Sequence, residues 1–174
     1  MEKIGVFGGT FNPVHKGHEI TAVEFYDKFE LGKLFIIPSN IPPHKKNDKD
    51  VSPKDRFEMC RICFEGYKDK NIEVSDVEIK KDGVSYSVDT LRTLRGIYPE
   101  NPVYFLVGSD MFLYLEKWRD YKELLAVCVF VVAFRNETDR AEVSGLRGKL
   151  AGQGYKTELL GNSAFEISST ELRE

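Results

Sequence analysis

Strand-like and helix-like stretches alternate along the chain from its first residues. Lys3–Phe7 is a short, nearly continuous apolar run, and this pattern predicts a buried strand. Gly8-Gly9-Thr10-Phe11-Asn12-Pro13 ends it. From Gly17 to about Phe29 the apolar residues Ile20, Val23 and the Phe25/Tyr26 pair recur at helical spacing. Lys33–Pro38 is a second strand, and 39–50 is a polar loop with prolines and a basic centre, His44-Lys45-Lys46. Ser52-Pro53 has the form of an N-cap followed by proline at the first helical position, opening a helix to about Tyr67. Ile72–Val74 and Val77–Lys81 are expected to be short strands, the second ended by the turn Asp82-Gly83. A helix over Ser87–Tyr98 stops before Pro99, and Val103–Val107 is a strand. Met111–Leu125 is mostly helical with a break near Trp118, and Val127–Phe134 is the most strand-like segment of all. A helix over Glu137–Gly152, a strand at Lys156–Leu160 and a helix starting at Ser168 complete the pattern.

This alternation predicts an α/β fold: a Rossmann-like, doubly wound, mostly parallel sheet with helices on both faces. In such sheets ligands bind outside the carboxyl ends of the strands. Three loops fall there: Gly8–Gly17, Ser39–Asp50 and Gly108–Asp110.

The chain has 174 residues, a length that suits one domain over 1–174. Hydrophobic residues make up 41% and charged residues 30%, a globular balance that argues against disorder. The net charge of −3 does not suit a general nucleic-acid binder. The longest apolar run, Ala126–Phe134, is about half of what a membrane-spanning helix needs. The apolar start at Ile4 meets glycines at once, so no signal peptide is expected. Three cysteines make no disulfide framework. A cytoplasmic protein without membrane or nucleic-acid partners is the expectation.

Gly5-x-x-Gly8-Gly9 after the first strand suggests dinucleotide binding, but GxGxxG is absent and the second strand ends in Ile37-Pro38-Ser39 rather than an acid. No GxxxxGK[ST] occurs, so a P-loop is excluded. His15-Lys16-Gly17-His18 is sharper, because two of the three histidines lie three apart at a strand-to-helix junction. A helix start offers N–H groups and a positive dipole end to an anion, and two imidazoles beside it suit phosphate oxygens. A surface pair without a role and half of a metal site remain alternatives for the motif alone. Cys60-x-x-Cys63 lies among Met59, Ile62 and Phe64 and has the character of small core residues, as does Cys128. The only Trp, Trp118, is either core or a partly exposed platform, and its charged neighbours Lys117 and Arg119 favour an exposed edge. Lys45-Lys46 taken alone would be a solvated loop, and Ser168-Ser169-Thr170 with Glu171 a helix cap.

The block Gly8-Gly9-Thr10-Phe11-Asn12-Pro13-Val14-His15-Lys16-Gly17-His18 closely resembles the signature of bacterial nicotinate-nucleotide adenylyltransferases, of the HxGH nucleotidyltransferase superfamily. Further stations match in order: Pro38-Ser39-Asn40-Ile41-Pro42-Pro43-His44-Lys45, Tyr86-Ser87-Val88-Asp89-Thr90-Leu91, Phe105-Leu106-Val107-Gly108-Ser109-Asp110 with Trp118 beyond it, and Ile167-Ser168-Ser169-Thr170-Glu171-Leu172-Arg173. The likeness spans residues 3 to 173. Family members continue past the position of Arg173 through a further helix and a short tail.

The resemblance implies transfer of AMP from ATP to nicotinate mononucleotide, with release of pyrophosphate and no covalent intermediate. It implies catalytic roles for His15, His18, Lys45 and Arg173, and phosphate or ATP contacts at Gly8, Gly9, Thr10, Phe11, Ser168, Ser169, Gly108 and Asp110, with Asp110 on a ribose. Asn12, Ser39, His44, Thr90 and Trp118 would serve the pyridine nucleotide, Trp118 by stacking. Arg56 and Arg135 are further candidate phosphate contacts. Mg²⁺ would arrive on the ATP phosphates, with no metal ligands from the protein. Self-association is left open. Phosphopantetheine adenylyltransferase is disfavoured by Asn12-Pro13-Val14-His15 and by the Pro-Pro-His-Lys loop, and a class I aminoacyl-tRNA synthetase by length. A dual nicotinate/nicotinamide enzyme and a non-catalytic nucleotide-binding module remain as alternatives.

Overall fold

The computed structural model describes residues 1–43, 51–134, 137–161 and 169–173. In chain order the elements are β1 (Ile4–Gly9), α1 (Lys16–Lys28), β2 (Lys33–Pro38), α2 (Pro53–Phe64), β3 (Ile72–Val74), α3 (Ser87–Ile97), β4 (Val103–Gly108), α4 (Ser109–Leu113), α5 (Tyr121–Val127), β5 (Val129–Ala133), α6 (Arg140–Gly152) and β6 (Thr157–Leu159). The strands form one six-stranded sheet in the order β3-β2-β1-β4-β5-β6. Every pairing is parallel. This is the doubly wound order in which the chain reverses direction between β1 and β4.

Strand alternation divides the core in two. Ile4, Val6, Phe35, Ile37, Phe105, Val107, Phe130 and Val132 point to one face, where Val88, Leu91 and Leu94 of α3 and Leu124, Val143 and Leu150 cover them. Phe7, Leu34, Ile36, Leu106 and Val131 point to the other, beneath Ala22 and Phe25 of α1 and Cys60 and Phe64 of α2. Gly5 belongs to this packing and not to a nucleotide fingerprint. A Cβ there would meet Leu31 Cδ1 at 2.4 Å and Leu34 Cδ1 at 2.9 Å.

Local signals account for the element ends. Ser52 Oγ accepts from the Asp55 N–H at 3.1 Å and the Asp55 carboxylate accepts in return from the Ser52 N–H, with Pro53 at the helix start. The expected break near Trp118 is real: α4 ends at Leu113, Trp118 is extended, and Asp120 is left-handed with φ 51°. Two expectations are corrected. Val77–Lys81 is not a strand; residues 77–80 form a turn, and beyond it Val84 bridges to Ile41. Its alternating pattern reflects a buried Glu78, not a pleated edge. Of the helix expected from Ser168, the described part is a single 3₁₀ turn, Glu171–Arg173. Among the described residues no helix is long and apolar enough to cross a membrane.

Candidate active site

β1 and β4 both end in glycine, at Gly9 and Gly108, on either side of the switch point. A cavity of about 1000 Å³ opens there. That is the top of the roughly 300–1,000 Å³ range usual for small-molecule sites, enough for more than one nucleotide portion. His15, Gly17 and His18 line it at the start of α1. His15 is the N-cap residue, and its backbone N–H donates to His18 Nδ1 at 3.2 Å. With Nδ1 an acceptor, the neutral His18 ring carries its proton on Nε2. The two imidazoles lie face to face, ring centres 3.7 Å apart at 31°. Phe11 meets the His18 ring edge-on at 5.0 Å. Phe11 itself sits at φ 49°, and Gly9 leaves space for it, since a Cβ at Gly9 would lie 3.1 Å from the Phe11 ring. The pair is thereby held in a fixed orientation at the cavity wall.

Thr10, Asn12 and Ser39 also line the cavity. The backbones of Thr10, Ser39 and Asn40 are strapped together by Arg56, which is only 4% exposed. Its guanidinium donates to Thr10 O at 2.6 Å, Ser39 O at 2.6 Å and Asn40 O at 2.8 Å. Burial pulls this guanidinium below its ordinary value, but it remains a cation. Arg56, which also lines the cavity, is therefore a brace between the β1 and β2 loops. Removing it orphans three carbonyls, each costing about 1–3 kcal/mol if buried. Arg56→Ala is expected to lower Tm by roughly 4–12 °C, as about 2–3 kcal/mol does in a protein of this size. An unchanged Tm with a raised KM for ATP would return Arg56 to direct phosphate binding.

The tail segment docks on the same loop. Ser169 Oγ donates to Pro13 O at 2.9 Å, and Arg173 donates to Asn12 O and, at 3.3 Å, to Thr170 Oγ1. Ser169, Thr170 and Arg173 all line the cavity, although Ser169 spends its hydroxyl on the loop.

The far end of the cavity is built by the start of α3 and the segment after α4. Tyr86, Ser87 and Thr90 face it from one wall, and Lys117, Trp118 and Arg119 from the other. The Arg119 guanidinium lies 4.8 Å from the centre of the Tyr86 ring, clasping the two walls. Tyr86 caps α3 without a side-chain hydrogen bond, so the Ser87 and Val88 N–H groups have no intrahelical acceptor. Trp118 is both core and lining: its ring packs edge-on against Phe105 at 6.2 Å and Phe130 at 6.3 Å. Among the described residues its indole N–H and the Ser39 hydroxyl are buried without a hydrogen-bond partner. Glu78, absent from the expected site, lines this end too and accepts from Thr90 Oγ1 at 2.6 Å. Its signal in the sequence was masked because it alternates with Val77 and Ile79 as an outward strand residue would.

Gly8 and Gly108 line the cavity, while Asp110 is exposed on the first turn of α4, outside the lining. His44, Lys45, Arg135 and Ser168 lie outside the described residues. The cysteines are core. Burial pushes the Cys60 thiol up to about 12 and raises Cys63 and Cys128 as well. Among the described residues no three His, Cys, Asp or Glu side chains cluster to hold a metal ion.

A doubly wound sheet with paired histidines at the first helix start is the frame of a nucleotidyltransferase. Residues 6–174 match the family described as cytidylyltransferase-like, and the chain belongs to that family. A Desulfatibacillum aliphaticivorans protein named "Probable nicotinate-nucleotide adenylyltransferase" is 38% identical over 192 residues, spanning 99% of this chain and 87% of the relative. A Fusobacterium nucleatum protein of the same name is 38% identical over 174 residues, spanning 98% and 86%. Within the family the chain falls among the nicotinate-nucleotide adenylyltransferases. The fold has a counterpart in Plasmodium falciparum nicotinic acid mononucleotide adenylyltransferase complexed with NaAD, with a TM-score of 0.78 at 20% identity over 99% of this chain and 83% of that one.

Proposed function

We propose that the cavity joins ATP to nicotinate mononucleotide, giving nicotinate adenine dinucleotide and pyrophosphate. The observation that carries this is one cavity lined both by the fixed His15/His18 pair and by the open start of α3 with Trp118. A phosphate oxygen of the mononucleotide attacks the α-phosphorus of ATP. The bond from that phosphorus to the bridging oxygen breaks, and its electron pair leaves with pyrophosphate. The nucleophile is a phosphate monoester with a second pKa of about 6, so it is anionic without a general base. The protein's work is to bring two anions into line and neutralise the charge that develops.

His18 Nε2–H, His15, the backbone near Thr10 and Phe11, and Arg173 supply donors at the phosphate end. Lys45 and Ser168 are assigned there on resemblance. ATP enters as its Mg²⁺ complex, the metal being part of the substrate and lowering the charge of the triphosphate. The phosphate end is lined by imidazoles, hydroxyls and a guanidinium, which suit anionic oxygen rather than a bare cation. Asp110 is assigned to a ribose hydroxyl on resemblance.

Incubation with ATP, Mg²⁺ and each mononucleotide, read by pyrophosphate release, tests the reading. Release with nicotinate mononucleotide is the expected result. Binding without pyrophosphate would leave a non-catalytic nucleotide-binding module.

Trp118 provides a second test. Stacking on an aromatic ring contributes about 1–3 kcal/mol per base in nucleic-acid complexes, used here by analogy. Trp118→Ala is expected to raise KM for the mononucleotide by about tenfold or more and to change KM for ATP little. Because the ring also packs on Phe105 and Phe130, Tm should fall as well. An equal rise in both KM values would make the Trp structural only.

A further inference from the structure

Glu78 is a buried carboxyl that the mechanism above does not use. It is 8% exposed, on the turn between β3 and α3, and lines the Trp118 end of the cavity. It accepts from the Thr90 hydroxyl at 2.6 Å, and the Ser85 hydroxyl is hydrogen-bonded to it as well. Ser85 Oγ in turn accepts from the Asn40 N–H at 2.9 Å, and Asn40 Nδ2 donates to Lys81 O at 2.8 Å. Glu78 is therefore the hub at which the 76–83 turn, the loop after β2 and the first turn of α3 meet. Among the described residues no cation lies within ion-pair distance of it; Lys81 acts only at longer range. Burial raises its carboxyl above the ordinary value.

An unpaired buried carboxyl is costly wherever it serves packing alone, since an apolar or amide side chain would fill the space more cheaply. Its position explains its presence. Thr90 Oγ1 has one proton, and the acceptor at 2.6 Å holds it, the alternative being Tyr86 O at 3.5 Å. Thr90 is 3% exposed and is thereby fixed with its hydroxyl turned to Glu78. Ser87, three residues earlier, lines the cavity, and as a first-turn residue its N–H has no intrahelical acceptor.

We propose that Glu78 is a positioning residue for the mononucleotide: through Thr90 and Ser85 it holds the open first turn of α3 so that the Ser87 N–H meets the acid group of the pyridine ring. The proposal rests on the adenylyltransferase reading, and its test is arranged to separate the two. Glu78→Ala, Glu78→Gln and Thr90→Val are compared with wild type in the full chain. The measurements are kcat, both KM values, and direct binding of nicotinate mononucleotide by the fluorescence of the single Trp.

Glu78→Ala is expected to raise KM and Kd for the mononucleotide by about tenfold, the effect of one hydrogen bond to a charged or strongly polar partner. KM for ATP should move by no more than about twofold, which a general loss of structure would not spare. Glu78→Gln keeps an acceptor oxygen for Thr90 and should stay within about threefold of wild type. Thr90→Val cuts the same bond and should match Glu78→Ala, so the test stands even if Glu78→Ala does not fold. Equal shifts in both KM values, no shift in either, or a Glu78→Gln variant as impaired as Glu78→Ala would overturn the proposal. If wild type binds the mononucleotide but releases no pyrophosphate, adenylyl transfer fails while the Kd comparison still decides the role of Glu78. Wild type that binds no mononucleotide overturns both.

Discussion

His18→Ala is expected to lower kcat by about 10²–10³-fold, the usual cost of losing one preorganised donor to developing negative charge. The ring is poised for this. His18 Nδ1 is occupied by the His15 N–H, so the remaining ring proton is on Nε2, and Phe11 and His15 hold the ring from two sides. No reorganisation is needed when charge builds on the transferring phosphoryl group. The same substitution removes the hydrogen bond from the His15 N–H at the start of α1, a loss of about 0.5–1.5 kcal/mol. That shifts Tm modestly and leaves the protein folded at assay temperature, so a thermal melt beside the kinetics separates the two effects. A folded variant with near-normal turnover would sink the assignment. His15→Ala should also lower kcat, through its own ring and through the orientation of His18.

The second large effect concerns the choice of substrate. Nicotinate mononucleotide is expected to be preferred over its amide by about 10²-fold or more in kcat/KM, a cautious fraction of the 10⁴–10⁵ that buried hydrogen-bonding sites achieve. A carboxylate only accepts hydrogen bonds, whereas a carboxamide also presents two N–H donors. Beside Trp118 the cavity is lined by Ser87, at the positive end of α3. The family resemblance implies a pocket for the acid in the Asp110–Trp118 region, and Lys117, Trp118 and Arg119 line the cavity together with Ser87. An amide would set donor against donor at such a wall. Parallel kinetics with the two mononucleotides check this, and equal kcat/KM would leave a dual-specificity adenylyltransferase.

Much of the site was legible because its residues sit in short contiguous blocks. Gly8 to His18 forms one loop and one helix start, so spacing along the chain is also spacing in space. The Ser52-Pro53 cap and the break at Trp118 were legible for the same reason: each depends on backbone preferences within a few residues. Arg56 and Glu78 were not. An arginine in a helix and a glutamate between Val77 and Ile79 carry the pattern of solvent-facing residues. Their burial depends on carbonyls and hydroxyls that arrive from loops far away in sequence.

The sequence by itself determined the alternation of strands and helices, the two-faced parallel sheet, the glycine-rich loop after β1 with its histidine pair and the family resemblance, since periodicity, capping and motif spacing are local properties. Only the tertiary structure decided that Arg56 braces two loops, that Glu78 holds Thr90, that Trp118 is at once core and cavity wall, and that Asp110 stands outside the lining. The reason is physical: whether a polar side chain is solvated, buried as a brace or aimed at a ligand depends on which backbone groups the fold brings within hydrogen-bond distance, and that follows from long-range packing that no local window contains.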